Sequence, residues 1–430
     1  MTLEYERPDI ETTITSARSW AELDAAMEQV ILLNRGFRNP AIHGRKLFVG
    51  WFDKLAPGIA NRLGLIDVPQ PQKSNERIVV LATILRHTGG HSQVVKDIMH
   101  AFPGQVTGIY TDSYRELPEE LGEMPQLTTV FQERAWLYPR RRRLLERCVE
   151  VYMMLKAIQP TRILLFGHGM DIVPILAAWP FREVTEFVHH FDHAPAVGAT
   201  LPFSSHVDLT YRCHLACREA GLNPVYAGMT SPTLATGPRP QREAGKGLVI
   251  ATCGSSNKYR GAGAFSWASY FTAALKAEPD SRIVHIGTVT EDVMSAIAAG
   301  LKKERIDPSR YVVTGFVPSL HAELIAQGAD VYLSSYPEAG GKANLEALAA
   351  QIPVIVPVDL DAPSLSRFDI PMPGWIEINR PYQIANALKK ARALGEDLQS
   401  TEYVAALRRE LNRFENYIHL RTDPSPADHS

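Results

Sequence analysis

Cysteine is scarce in this chain, with four residues in 430. They show no paired spacing, so a disulfide framework is excluded and free thiols in a reducing compartment are expected. Long hydrophobic runs are missing: none approaches the roughly 20 residues that a spanning helix needs. Charge of one sign is not in excess, since 45 Lys and Arg stand against 47 Asp and Glu, a net of -2. That balance gives no general attraction for nucleic acid, and no nucleic-acid partner is expected. The first residues, "MTLEYERPDIETT", are acidic and polar and do not read as a secretory signal. A cytoplasmic location follows as the expectation.

What is present is ordinary for a globular protein: 45% hydrophobic and 21% charged residues. The length suffices for two substantial domains. Residues 1–70 read as a helical extension. "TSARSWAELDAAMEQVILLNRG" has Ser16 or Ser19 as cap and a glycine stop, and "GRKLFVGWFDKLAPGIANRLG" follows at helical spacing. After the Pro-rich linker "DVPQPQKSNE" the pattern changes. "RIVVLATIL", "QVTGIYTD", "RILLFG", "EVTEFVHHFDH" and "PVYAG" read as strands. Helices alternate with them, among them "HVDLTYRCHLACREAG", read as helical throughout. The linker "TSPTLATGPRPQREAGKG" separates a second series, with strands "GLVIATCG", "RIVHIG", "YVVTG", "ADVYLSS" and "PVIVP" and helices between. The fold class is α/β. Two Rossmann-like doubly wound domains, 71–235 and 245–400, are expected to face a cleft, with a helix in 401–430 crossing back to the first.

The stretch "SSYPEAGGKANLEALAAQIPVIVP", Ser334–Pro357, carries the chemistry. Its loop lies at the carboxyl end of a strand, where ligands bind in such sheets. Gly340 and Gly341 admit close backbone approach, and the first turn of the next helix, from Lys342, Ala343 and Asn344, offers N–H groups and a positive dipole. That geometry suits a diphosphate. Glu338 and Glu346, seven residues apart in between, suit sugar and ribose hydroxyls. A capped surface helix with solvated glutamates is the plainer alternative.

This segment resembles the donor-binding segment of GT-B glycosyltransferases of the retaining family-4 type, through Glu338, Gly341, Glu346, Ala347, Ala349, Pro353 and Val354. Ala339, Gly340, Lys342 and Gln351 depart from that pattern. Gly341-Lys342-Ala343-Asn344 is instead similar to a loop of the inverting O-GlcNAc-transferase-like enzymes, so stereochemistry stays open, with retention favoured. "VVTGFVPSLHAELIAQGADVYLSS" resembles the family's base-contacting segment, which implies Phe316 and Val317 as base contacts. "ATCGSSNKYRGAGAF" implies Lys258 and Arg260 on the diphosphate, and "TILRHTGGHSQVV" implies Gly89, Gly90 and His91 beside it.

"EFVHHFDHAPAVG" crowds His189, His190, Asp192 and His193 at a strand end. Alternation puts His190 and Asp192 on one side and His189 and His193 on the other. A sugar contact through His190 or His193, an acceptor base at Asp192 or a neighbouring histidine, and a metal site are the competing readings. Cys213-His214-Leu215-Ala216-Cys217 would need two further ligands to hold zinc, and no metal is assigned to either segment. Arg140, Arg141, Arg142 and Arg143, at the start of a helix, are a solvated face or a contact for an anionic membrane.

The resemblance implies a metal-independent hexosyltransferase that moves a sugar from a nucleotide-diphosphate sugar to a glycan or lipid-linked acceptor. Surface polysaccharide synthesis and peripheral attachment at the inner membrane face are the expected setting. No cofactor beyond the donor substrate is expected, and a homodimer is compatible with the chain. A sugar-nucleotide epimerase or hydrolase, or a non-catalytic scaffold of the same fold, is the alternative.

Overall fold

The structure, a computed structural model, describes residues 3–36, 39, 41–69, 76–83, 85, 90–102, 105–111, 113–114, 135–191, 193–230, 247–260, 265–360, 371 and 373–420. The chain divides into two compact units. Unit 1 contains the residues up to Met229 and those from Arg413 onward; unit 2 is Thr230–Asn412.

Unit 1 begins with helices α1 (Pro8–Ser16), α2 (Trp20–Leu32) and α3 (Gly50–Arg62). Ser19 and Glu22 form a capping box at the start of α2. A parallel sheet follows: β1 (Arg77–Ala82), β2 (Gln105–Tyr110), β3 (Ala135–Leu137), β4 (Arg162–Phe166), β5 (Thr185–His189), β6 (Ser205–Asp208) and β7 (Pro224–Tyr226), in the order β3-β2-β1-β4-β5-β6-β7. Its helices are α4 (Gly90–Ala101), α5 (Leu144–Ile158), α6 (Ile172–Ala178) and α7 (Tyr211–Glu219). Side chains alternate along β1 as the pleat requires. Val79 and Leu81 enter one core, with Ile163 and Leu165 of β4 and the apolar face of α6, while Ile78, Val80 and Ala82 enter the other with Val94 and Ile98 of α4.

The front segment is built into the first of these cores. Ile10, Met27, Val30, Phe48, Phe52 and Ile59 are all buried in it. Backbone bonds fasten it further: Ala196 N–H donates to Leu47 O (3.0 Å) and Gly44 N–H to His193 O (2.6 Å). Buried Asp53 on α3 accepts from Gly198 N–H (2.6 Å), Thr200 N–H (2.9 Å) and the Thr200 hydroxyl (2.7 Å).

Unit 2 holds β8 (Val249–Cys253), β9 (Arg282–Ile286), β10 (Tyr311–Gly315), β11 (Val331–Leu333), β12 (Val354–Pro357) and β13 (Trp375–Ile378), all parallel, in the order β10-β9-β8-β11-β12-β13. Helices α8 (Trp267–Ala277), α9 (Glu291–Lys303), α10 (Leu320–Ala326), α11 (Gly341–Ala349), α12 (Ile384–Asp397) and α13 (Thr401–Leu411) accompany them. The last helix, α14 (Arg413–Leu420), belongs to unit 1. Its Phe414, Tyr417 and Ile418 fill the second core there. Buried Arg162 forms a two-pronged pair with Glu186 (2.6 and 2.8 Å) and donates to Ile418 O (3.0 Å), and the Tyr417 hydroxyl donates to Glu186 (2.6 Å).

One segment differs from its sequence reading. "HVD" is the end of strand β6, and the helix starts only at Tyr211, where the Thr210 hydroxyl accepts Cys213 N–H (3.4 Å). A four-residue strand carries too few positions to show its period, and the ladder to β5 and β7 decides it. Among the described residues no helix is long and apolar enough to cross a membrane.

Both sheets reverse direction of strand order once, between β1 and β4 and between β8 and β11. Loops at the carboxyl ends of those strands frame a ligand crevice in folds of this kind.

Candidate functional site

In unit 2 the loop after β8 makes one helical turn over Ser256–Tyr259, and the loop after β11 runs from Ser334 into α11. The two are tied together. Glu338 N–H donates to Lys258 O (3.4 Å), the Lys258 ammonium donates to Ala339 O (3.3 Å), and the Ser335 hydroxyl donates to Glu338 O (2.8 Å). Gly340 is the N-cap of α11 and supplies no side-chain cap to its first N–H groups. A Cβ on Gly340 would stand 3.1 Å from Lys258 Nζ and 3.3 Å from the Ala343 Cβ. Glycine therefore leaves room for the lysine at the helix start, where dipole and ammonium add to one another.

The other residues expected at a donor site divide. Glu346 is half-buried and accepts His321 N–H (3.2 Å), capping the first turn of α10. The Cys253 thiol at the end of β8 is pushed up to about 12, chiefly by burial; Lys258 opposes that rise and Glu346 adds to it, so both charges reach the strand end. Asn344 is fully buried, and neither polar atom of its amide has a hydrogen-bond partner among the described residues. Lys342 is buried and donates to the Thr230 carbonyl and hydroxyl, both at 3.2 Å. Arg260 is exposed and grips Asp292 in the first turn of α9 with two nitrogens (2.9 and 2.7 Å). Phe316, 57% exposed, and half-buried Val317 follow β10, two strands away from β8. Gly287 (φ 137°) closes the gap between these strand ends: its N–H donates to Gly315 O (2.8 Å), and a Cβ would lie 2.5 Å from Gly254 O.

In unit 1, Gly89 and Asp192 lie outside the described residues, and Gly90 opens α4. His91, one residue on, joins His190 and His168. The His91 and His190 rings stack with centroids 4.2 Å apart, and His168 meets His91 edge-on at 4.5 Å. Their ligand atoms lie within 4.8 Å of one another. Stacked imidazoles present their in-plane lone pairs side by side, which suits a hydroxyl-rich ligand better than convergence on an ion. His193 is elsewhere, against Phe191 (4.6 Å) and His43 (5.5 Å).

Sequence reading missed His168, in the "FGHGMD" that follows β4. A Gly-His-Gly at the carboxyl end of an apolar strand was the available signal. It also missed Asp171, fully buried, which caps α6 through Val173 N–H (3.0 Å) and accepts the hydroxyls of Thr83 (2.6 Å), Thr111 (2.5 Å) and Ser113. Burial raises its pKa, against the lowering effect of those hydrogen bonds. The same Thr83 hydroxyl accepts His168 N–H (2.7 Å), so this network holds the loop that bears the histidine. His189 points to the opposite side of β5 from His190 and joins His206, Asp208 and Cys217, a second group able to hold a metal.

Arg140 to Arg143 are all exposed and precede α5 instead of forming its first turn. The Glu150 carboxylate accepts Arg140 N–H (2.8 Å) and Arg141 N–H (3.0 Å), and Asp24 of α2 accepts Leu145 N–H in that first turn (2.8 Å).

No protein-family model matches the chain, and no curated protein matches it in sequence. Solved structures do. One is the lipopolysaccharide outer core galactosyltransferase WaaB in its apo form: TM-score 0.56 and 14% identity, over 80% of this chain and 100% of that one. Another is Anabaena HepE (Alr3699) in complex with UDP: TM-score 0.53 and 14% identity, over 80% of this chain and 98% of that one. With two parallel sheets of seven and six strands, this chain has the GT-B fold that the motifs led one to expect.

Proposed function

We propose that the protein is a glycosyltransferase that moves a sugar from a nucleoside-diphosphate sugar to an acceptor hydroxyl, in surface polysaccharide or glycoconjugate synthesis. The observation that carries this reading is the Lys258 ammonium beside the start of α11, at the point where unit 2 reverses its strand order. A pyrophosphate there meets N–H groups of Gly341, Lys342 and Ala343 and a fixed cation. Charge that develops on the leaving diphosphate is stabilised by groups already in place. Glu346 then serves the ribose, Glu338 the sugar, and Phe316 with Val317 the base. Arg260 reaches a phosphate only by giving up Asp292. The UDP complex of HepE, a structure of the same fold, makes UDP the first nucleotide to try.

The histidines of unit 1 are assigned to the sugar and acceptor, His190 and His91 before His193, with Asp192 as the base of an inverting reaction. In a retaining reaction, the course favoured here, the departing diphosphate takes the acceptor proton on the same face. The exposed Arg140–Arg143 run suits an anionic membrane surface, where a lipid-linked acceptor would be found.

Calorimetric titration of UDP and UDP-sugars tests the site. Lys258→Ala is expected to weaken UDP binding about 10- to 100-fold, the loss of one hydrogen bond to a charged group. Equal affinity of wild type and variant contradicts the assignment. Nucleotide release that needs an acceptor supports transfer, whereas release from the donor alone points to a hydrolase or epimerase.

A further inference from the structure

We propose that unit 1 carries a structural metal site, in which one divalent ion of the zinc type is held by His189 Nδ1, His206 Nε2, Asp208 Oδ1 and Cys217 Sγ. The set converges because of how β5, β6 and α7 are laid down. His189 and Asp208 are register partners on adjacent parallel strands, and His206 precedes Asp208 by two residues and so shares its face. Cys217 lies on α7, whose first turn is pinned by Thr210.

The geometry is that of a coordination shell. Cys217 Sγ is 3.4 Å from His189 Nδ1, 3.4 Å from His206 Nε2 and 3.6 Å from Asp208 Oδ1. Asp208 Oδ1 is 3.5 Å from His189 Nδ1 and 3.2 Å from His206 Nε2. The sixth separation, between the two imidazoles, is within 4.8 Å. A tetrahedron with zinc–ligand bonds of about 2.0–2.3 Å has edges of about 3.3–3.7 Å. Charge agrees with geometry. One thiolate and one carboxylate neutralise a divalent ion, with both imidazoles neutral, so the loaded site buries no net charge. His189, Asp208 and Cys217 are 1%, 0% and 0% exposed. Asp208 Oδ2 and His189 Nε2 have no hydrogen-bond partner among the described residues. Cys213 Sγ, 3.2 Å from His189 Nδ1, stands at the edge of the shell.

Four protein donors leave no open position, which makes the site structural. Its effect on the candidate functional site is positional: an ion that fixes His189 fixes the next residue, His190, whose ring lies in the histidine trio on the other side of β5. Cys217 on its helix shows only one of the four ligands in the sequence. The other ligands arrive from two strands at a spacing of sixteen, one and eight intervening residues, which no local motif displays.

Elemental analysis of the full chain, purified without chelator, should find one equivalent of zinc per chain that survives dialysis. Cobalt exchanged for it should show tetrahedral d–d bands together with thiolate-to-cobalt charge transfer. Cys217→Ser should lose the bound equivalent, and Cys253→Ala should keep it. Should Cys217→Ser not fold, the cobalt spectrum of the wild type decides alone. Protein that neither retains zinc from supplemented medium nor takes up zinc or cobalt afterwards overturns the proposal. So does a cobalt spectrum without charge transfer, which places the ion on His91, His168 and His190.

Discussion

His285 shows how a single buried group fixes its own chemistry. Its Nε2 lies 2.9 Å from Gly254 O, and a carbonyl can only accept, so that nitrogen carries the proton. Nδ1 then accepts from the Tyr311 hydroxyl (2.6 Å), and the neutral ring joins the ends of β8, β9 and β10. Burial lowers its pKa from 6.5 to about 4. Between those values the unfolded chain binds a proton that the native ring refuses, so stability is full above pH 6.5 and falls as pH drops toward 4, by up to about 3 kcal/mol. Asp53 works in the opposite sense, because burial raises its pKa to about 6 and protonation then favours the native state as pH falls. The readout is therefore a difference. Urea unfolding from pH 4.5 to 7.5 should show a steeper acid loss for the wild type than for His285→Gln, which keeps a donor for Gly254. Parallel pH profiles would refute the assigned tautomer and its cost.

At the scale of elements, the start of α5 is instructive. Arginines directly before a helix oppose its dipole, and the fold answers with Asp24, a cap supplied by α2 to Leu145 N–H. Asp24→Ala should cost about 1 kcal/mol, as measured by chemical denaturation, and leave nucleotide binding in unit 2 unchanged. A neutral substitution would mean that water satisfies this turn equally well. This cap was not legible in the sequence, because its donor and acceptor are far apart along the chain. The same reason hides the hydroxyl partners of Asp171 and the company kept by His189. Elements with their own strong signal were legible: "RIVVLA", "RILLF" and "VIVP" are uninterrupted apolar runs of buried parallel strands. Strands β3, β6 and β13, of three or four residues, were passed over or absorbed into a neighbour, since pairing and not pattern creates them. The loop from Glu338 to Gly341 was found because glycines before a helix announce their geometry locally; the two-nitrogen grip of Arg260 on Asp292 was not.

For the whole molecule, each unit has cores of its own, one on each face of the sheet in unit 1, and the helices of the front segment are as deep in the first of those two as the sheet is. Unit 1 also depends on α14. Deleting the residues from Arg413 onward removes two partners of the buried Arg162–Glu186 pair and uncovers the apolar surface that Phe414, Tyr417 and Ile418 protect. The expected result is a loss of more than about 3 kcal/mol in unit 1, seen as a separate early transition in calorimetry. UDP binding in unit 2 should persist. A truncated protein that melts as the full chain does would show that α14 contributes little.

The membership of α14 in unit 1 bears on how the protein is made. A ribosome delivers domains from the amino end, and each usually folds as it emerges. Here the first to emerge must wait, holding an incomplete hydrophobic face while all of Thr230–Asn412 is synthesised, and the second finishes before it. The nascent chain therefore passes through a long interval in which its leading half is the part most in need of a chaperone.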